Sequence, residues 1–395
     1  MKIIYFSPHP NLYLSIPSGP GVHMREMMHA MTELGHTIVP LIMGGLEQPT
    51  GLEDEAISSI HPRKKKLRNQ LKRLVPAKLW QTAKDVNLLR FDRYAQRQLE
   101  AVVKREQPDL IYERGFYLST AGVHVADKFG VQHILELNAP YPEERASMEG
   151  PSFLDFLGKM HEKTQLRMTH RVVVVSTALR DYVETRVVGT AHKTVVTPNA
   201  IRSDFAPPAD VAVDAQRKKL NLEGKQVIGF IGSIFPYHGV DRLIEAFGRL
   251  CNDHANLALL IVGDGAVLPE LKKQAEVLEC AADIVFTGRV PHHDAAMYVS
   301  LMHICVMPHS NWYGSPVKVF EYGALGKTIV APDLSPIRDV ITSGLHGVIV
   351  KNNDLYRSLH QCIESPELTA SMARAFNEKV YKEHTWIRMA ERALR

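Results

Sequence analysis

The sequence predicts an α/β protein built from two doubly wound parallel-sheet domains, and three observations predict it. From residue 227 onward, short and wholly apolar runs recur at 227–232, 257–262, 284–287, 304–307, 328–331 and 347–350, separated by helix-length segments. Strands that are apolar along their whole length belong to parallel sheets covered on both faces. The first half repeats this rhythm at 2–7, 37–43, 109–113, 133–137 and 172–176. Between the halves, Thr197-Pro198-Asn199 and Phe205-Ala206-Pro207-Pro208 interrupt both periods, as a hinge does. The expected domains are 1–200, with a basic helical insertion at about 56–100, then 201–375, then a terminal helix over 376–395. Ligands of such sheets bind outside the carboxyl ends of the strands, so two facing domains would open both rims onto one cleft.

Composition excludes several classes. At 395 residues the chain is long for one core, and 45% apolar with 23% charged content is that of a globular protein. The net charge of +4 is too small to argue for nucleic acid. No run approaches the roughly 18 apolar residues of a membrane span, and the N-terminus enters a strand pattern at once, so the expected location is cytoplasmic. Cys251, Cys280, Cys305 and Cys362 show no ligand spacing and read as buried free thiols. No constellation of Asp or His suits a divalent metal, and no metal or cofactor is expected.

Gly19 to His23 form a glycine-bearing turn into the first helix, where Gly21 would let backbone approach a ligand or simply serve a turn. Between Ala56 and Lys84 there are nine basic residues and no acidic one, with Leu67, Leu71, Leu74, Leu79 and Trp80 at helical intervals. Such an element either lies on an anionic membrane face, with contact through 63–73, or is a solvated insertion beside the acceptor site. Tyr112-Glu113-Arg114 and Glu136-Leu137-Asn138 put polar groups where two apolar runs stop. Arg114 would suit an anionic acceptor and Glu136 or Asn138 the transferring sugar, although polar residues at strand ends are also ordinary loop chemistry. His133 opens its strand and reads as structural.

The richest stretch is 315–327, Ser-Pro-Val-Lys-Val-Phe-Glu-Tyr-Gly-Ala-Leu-Gly-Lys. Ser315 reads as an N-cap, Pro316 as a first-turn proline and Gly326 as the helix stop. Preceded by Gly314, this N-terminus would offer free N–H groups and the positive dipole end to a phosphate. Lys318 and Glu321 share a face, which would suit a sugar nucleotide, Lys318 at the diphosphate and Glu321 at the ribose. A capped surface helix with a Lys–Glu pair would read the same way. Arg289, after the third strand of this half, would clasp the base or diphosphate, or pair with an acidic neighbour such as Asp294.

With these motifs in order, the chain resembles the family-4 glycosyltransferases of the GT-B fold along nearly its whole length. Gly19-Pro20-Gly21-Val22-His23 followed by Glu33-Leu34-Gly35-His36-Thr37 is similar to that family's glycine loop, first helix and second strand. Thr197-Pro198-Asn199-Ala200 resembles its "PNG" hinge, and Val262-Gly263-Asp264-Gly265 and Phe286-Thr287-Gly288-Arg289 resemble donor-domain strand ends. The resemblance implies a retaining transferase with a nucleotide diphosphate sugar, UDP- or GDP-linked, as co-substrate. The acceptor would be a saccharide, a lipid-linked molecule or a small molecule, and the final helix would return to the first domain.

This chain departs from the family where Tyr313 takes the place of the first of two glutamates, Glu321 being the second. Ser233 and His238 stand where an Arg and a Lys usually hold the diphosphate. Gly232-Ser233, His238-Gly239 and "SPxKxFEY" together look like a subgroup in which Lys318 replaces a lost cation. The catalytic set expected on this basis is Lys318, Glu321, Asn138 and His238, with Gly21, Ser233, Arg289, Gly314, Ser315 and Pro316 around the donor. A nucleotide-sugar epimerase of the same fold and a non-catalytic sugar-nucleotide or polysaccharide binder are the alternatives.

Overall fold

The computed structural model describes residues 1–16, 19–47 and 75–395, which fall into two compact units, Met1–Thr197 with Met389–Arg395, and Pro198–Arg388. Most of the basic segment, including 63–73, lies outside the described residues.

The first unit holds six parallel strands, β1 (Lys2–Ser7), β2 (Thr37–Ile42), β3 (Leu110–Arg114), β4 (Gln132–Leu137), β5 (Arg171–Val174) and β6 (Thr194–Val196), in the order β2-β1-β3-β4-β5-β6. The direction of winding reverses between β1 and β3. β6 is an addition to the five strands expected, three half-buried residues ending just before the hinge. The 30-residue helix Ala77–Glu106 packs Ala95, Leu99 and Val103 against Ile4, Phe6 and Ile111. Within its third turn the buried Asp85 accepts two 2.7 Å bonds from Arg145 Nη2. Chain end and sheet meet where Arg171 donates to the Ala393 carbonyl (3.4 Å).

The second unit holds β7 (Gln226–Ile231), β8 (Leu257–Val262), β9 (Ile284–Gly288), β10 (Ile304–Val306), β11 (Thr328–Pro332) and β12 (Val348–Val350), all parallel, in the order β12-β11-β10-β7-β8-β9. This is the winding of a dinucleotide-binding sheet, reversing between β7 and β10. Alternate residues feed two cores. Val227, Ala258, Leu260 and Cys305 point to one face, and Ile228, Phe230, Leu259 and Val306 to the other. That is why the strands read as unbroken apolar runs. Cys305 and Cys362 are buried, whereas Cys251 and Cys280 are half-buried, and all four are free.

Residues 376–383 complete an 18-residue helix, Pro366–Glu383, that stays with the second unit. Asn377 there donates to the Gly323 and Ala324 carbonyls (2.9 and 2.8 Å). Only the last helix, Trp386–Leu394, carries the chain into the first unit.

Candidate functional site

In the second unit the reversal between β7 and β10 leaves a rim where the loops after these strands diverge, the usual ligand position in such sheets. Glycines bring the loops together. A Cβ on Gly263 would lie 1.9 Å from the Gly232 carbonyl oxygen, and both residues adopt positive φ (134° and 141°). A side chain at either position is therefore excluded.

The helix behind this rim is Val317–Ala324. Its boundary differs by one residue from the sequence expectation: Pro316 is the N-cap, and no side chain caps the helix. Ser315 is otherwise engaged. Its hydroxyl accepts from the Asn199 N–H (2.9 Å), and its carbonyl accepts from the Asn199 side-chain amide (2.6 Å). The far end closes as expected, because Gly326 (φ 59°) lets Lys327 N–H reach the Tyr322 carbonyl and its own N–H reach Gly323.

Lys318 is the central observation. Its Nζ is buried, has no hydrogen-bond partner among the described residues, and sits 4.1 Å from the centre of the Phe230 ring. A Cβ on Gly232 would come within 2.7 Å of it. Burial drives the ammonium pKa down to about 7, against a smaller opposing pull from Glu321. One turn on, Glu321 is 6% exposed, and its Oε1 is buried without a partner. Burial raises its pKa, while Arg202 and Lys318 hold it back. An amine nitrogen and a carboxylate oxygen, both desolvated and without hydrogen-bond partners among the described residues, thus lie one turn apart on this helix.

His238 lies beside this pair. Burial first, then the Lys318 charge, push its pKa down to about 3, so it is neutral at physiological pH. Its ring packs 5.8 Å from Phe230, and its carbonyl accepts from His309 N–H (3.0 Å). Ser233 is exposed on the same loop, and Gly314 N–H donates to Asn311 Oδ1 (2.7 Å) beside the buried Tyr313. Arg289 is not part of this cluster by topology. It follows β9, which β8 separates from β7, and it is exposed. Asn199 and Phe230 were legible only as parts of the Pro-Asn hinge and of a strand, with no role attached, and Arg202 was missed because it stands outside any motif.

The first unit presents a different arrangement at the carboxyl ends of its strands. Glu136 is 1% exposed and accepts four contacts. Arg114 Nη1 (2.7 Å), His23 Nε2 (2.9 Å) and Asn138 Nδ2 (2.5 Å) reach Oε1, and the Tyr112 hydroxyl (2.7 Å) reaches Oε2. Burial alone would raise this carboxyl's pKa, but His23, Arg114 and Asn138 outweigh it and hold it well below the usual carboxylate range. Arg114 and Glu136, read from the sequence as separate acceptor contacts, thus bind each other. Gly21 makes room for Ile16, whose carbonyl oxygen would lie 2.2 Å from a Cβ at that position.

His133, read as structural, bridges Glu113 and Thr169 (2.9 Å each) inside the sheet. His9, which no motif marked, stands after β1 against the Phe116 ring (4.3 Å). Burial and the Arg114 charge lower its pKa to about 4. Its Nδ1 accepts from Asn11 N–H (3.0 Å), so the neutral ring carries its proton on Nε2.

Residues 18–200 match the family model "Glycosyl transferase 4-like domain" and residues 212–382 match "Glycosyl transferases group 1". Alpha-D-kanosaminyltransferase of Streptomyces kanamyceticus is 24% identical over 160 residues, 40% of this chain and 41% of that protein. The matched stretches span 41 to 50% of the length of such curated relatives. Among solved structures, HepE of Anabaena in complex with UDP superposes with a TM-score of 0.69 at 14% identity, over 99% of this chain and 98% of that one. Sucrose-phosphate synthase of Thermosynechococcus elongatus gives 0.69 at 16%, over 99% and 96%. Each of the two matched models falls on one of the two sheets, and the fold is shared end to end, so the chain is composed of the two domains of a family-4-type glycosyltransferase with the GT-B fold.

Proposed function

We propose that this chain transfers a sugar, with retention of anomeric configuration, from a UDP- or GDP-linked donor to a saccharide, lipid-linked or small-molecule acceptor. The observation that carries the reading is Lys318, an amine buried at the winding reversal of the second sheet without a hydrogen-bond partner among the described residues. A diphosphate placed there supplies the missing counter-charge, and the amine, half-neutral near pH 7, takes up a proton as the anion arrives. The uncapped start of Val317–Ala324 adds its dipole. Glu321, one turn deeper, accepts from ribose hydroxyls, and His238 donates from the adjacent loop.

As the glycosidic bond to the diphosphate breaks, negative charge grows on the leaving oxygens. Lys318, the helix start and His238 stabilise that charge without a divalent ion. Retention requires the acceptor hydroxyl to attack from the face the diphosphate leaves, with the departing phosphate taking its proton. We assign Asn138, held against Glu136, to the sugar or acceptor, and Ser233, Gly314 and the more distant Arg289 to the donor's periphery. HepE was solved with UDP, which favours UDP as the first nucleotide to try.

Incubation with UDP-glucose and GDP-mannose, with and without a panel of acceptors, tests this reading. Acceptor-dependent release of the nucleoside diphosphate is expected. Epimerised donor would favour the alternative of an epimerase, and saturable binding without turnover that of a binding protein. The proposed location is cytoplasmic, with peripheral contact at the inner membrane face through 63–73. Among the described residues no helix is long and apolar enough to cross a membrane. Replacing Lys64, Lys65, Lys66 and Arg68 with glutamine should abolish co-sedimentation with anionic vesicles at low salt, each charge contributing about 1 kcal/mol. If the unmodified chain stays in the supernatant, the acceptor is not reached through lipid.

A further inference from the structure

We propose that His254, His360 and Glu364 form a binding site for one divalent transition-metal ion, zinc by the chemistry of the donors, remote from the nucleotide site. His360 and Glu364 are four residues apart on the helix Leu355–Glu364, so they project from one face. His254 caps the end of the helix Val240–Asp253 in an extended conformation (φ −134°, ψ 132°), and the two helices pack together. One ligating atom from each residue lies within 4.8 Å of the other two.

His254 Nδ1 and Glu364 Oε1 are 3.4 Å apart. Tetrahedral zinc, with bonds of roughly 2.0–2.1 Å, separates its ligand atoms by about 3.4 Å, so that edge is already set. The imidazole rings of His254 and His360 stand edge to face with centroids 4.8 Å apart, and small rotations of the 58% exposed Glu364 and of His360 bring the third atom in. His254 is otherwise unspent: its Nε2 is buried and has no hydrogen-bond partner among the described residues.

Neighbouring groups define the site further. The Tyr356 ring packs edge-on against His360 (5.8 Å), and its hydroxyl donates to Asp253 Oδ2 (2.6 Å). The nearest extra carboxylate is therefore engaged, and a three-ligand site keeps one position for water. Two imidazoles and one carboxylate favour zinc, cobalt, nickel or copper over magnesium or calcium.

Topology places the trio away from Lys318. Val240–Asp253 starts beyond the carboxyl end of β7 and runs back toward the start of β8, so its last turn lies at the amino ends of the strands. An ion there clamps two helices on one face of the sheet and takes no part in transfer. Its ligands come from two segments distant in sequence, which is why no spacing announced it.

The test is titration of the full-length protein with Co2+, read by visible absorption and by thermal unfolding, followed by displacement with Zn2+. One equivalent of tightly bound, tetrahedral-type cobalt and a raised Tm are expected. Outer-shell changes alone typically cost roughly 10–100-fold in metal affinity, so His360→Ala and the surface variant Glu364→Gln should each lose at least that. UDP binding should be the same in both variants as in the parent. Absence of cobalt binding to the parent, or variants that keep its affinity and spectrum, overturns the proposal; neither outcome bears on glycosyl transfer.

Discussion

The two sheets carry opposite kinds of polar cluster at the carboxyl ends of their strands. In the first unit Glu136 has four partners, two from β3, one from the first helix and one from the adjacent loop. In the second unit the Lys318 Nζ and the Glu321 Oε1 are also buried, yet neither atom has a hydrogen-bond partner among the described residues. A satisfied buried network fixes a scaffold, whereas an unsatisfied one lowers stability and reserves interaction energy for something that arrives later. The Glu136 and Lys318 pKa values are both lowered, with opposite consequences for charge. Glu136 is held charged against its burial, and Lys318 is driven toward neutrality by it.

The strongest way to break this contrast is Glu136→Leu. It strands Arg114 as an uncompensated buried charge, and removing one partner of such a pair costs about 3–5 kcal/mol. Urea unfolding should show that loss, and an unchanged midpoint would mean the network is not the scaffold. The converse is Lys318→Met, expected to lower kcat/KM by about 10²-fold or more. The same substitution should raise stability by on the order of 1–3 kcal/mol, since it removes an unpaired buried donor. A variant that loses both activity and stability would place Lys318 in the scaffold class. His238→Ala should cost less activity than Lys318→Met, and the reverse ranking would transfer the diphosphate role to the histidine.

Glu321→Ala sharpens the comparison within the site. A hydrogen bond to a charged group contributes about 1.5–3 kcal/mol, which should appear as a raised donor KM and a reduced kcat/KM with the fold intact. The smallest effect is in pH. Because Lys318 falls to about 7 in the fold from an ordinary 10.5, the unfolded chain holds that proton more tightly. Stability therefore rises with pH between about 7 and 10.5, by at most about 1.4 kcal/mol per unit. UDP affinity should fall over the same window, and both slopes should vanish in Lys318→Met. Glu136 has the same sign in an acid window: its contribution is complete above the ordinary carboxylate pKa of 4.5 and is lost as pH falls toward its depressed value.

Much of this was legible in the sequence, and the exceptions share a cause. Wholly apolar strands, the hinge and the helix with Lys318 and Glu321 all depend on local pattern. β6 was missed because its three residues, none of them fully buried, run straight into the hinge. The partnership of Arg114 with Glu136 joins two strands, His23 adds the first helix, and no spacing encodes it. Ser315 has the residue type of a cap, but Asn199 claims its hydroxyl from a segment more than a hundred positions earlier. The resemblance to glycosyltransferases carried the function class, while the burial of Lys318, the property that makes it informative, became visible only with Phe230 beneath it and Gly232 beside it.

The bonds from Asn199 to Ser315 have one more implication. Asn199 stands two residues past the boundary of the first unit, and it grips the residue before the N-cap of Val317–Ala324 by both backbone and side chain. Two hydrogen bonds thus tie the segment just past the boundary to the start of the helix Val317–Ala324. A substitution of Asn199 would therefore be felt first at Ser315, the residue that leads into the helix start where the donor's charge would rest.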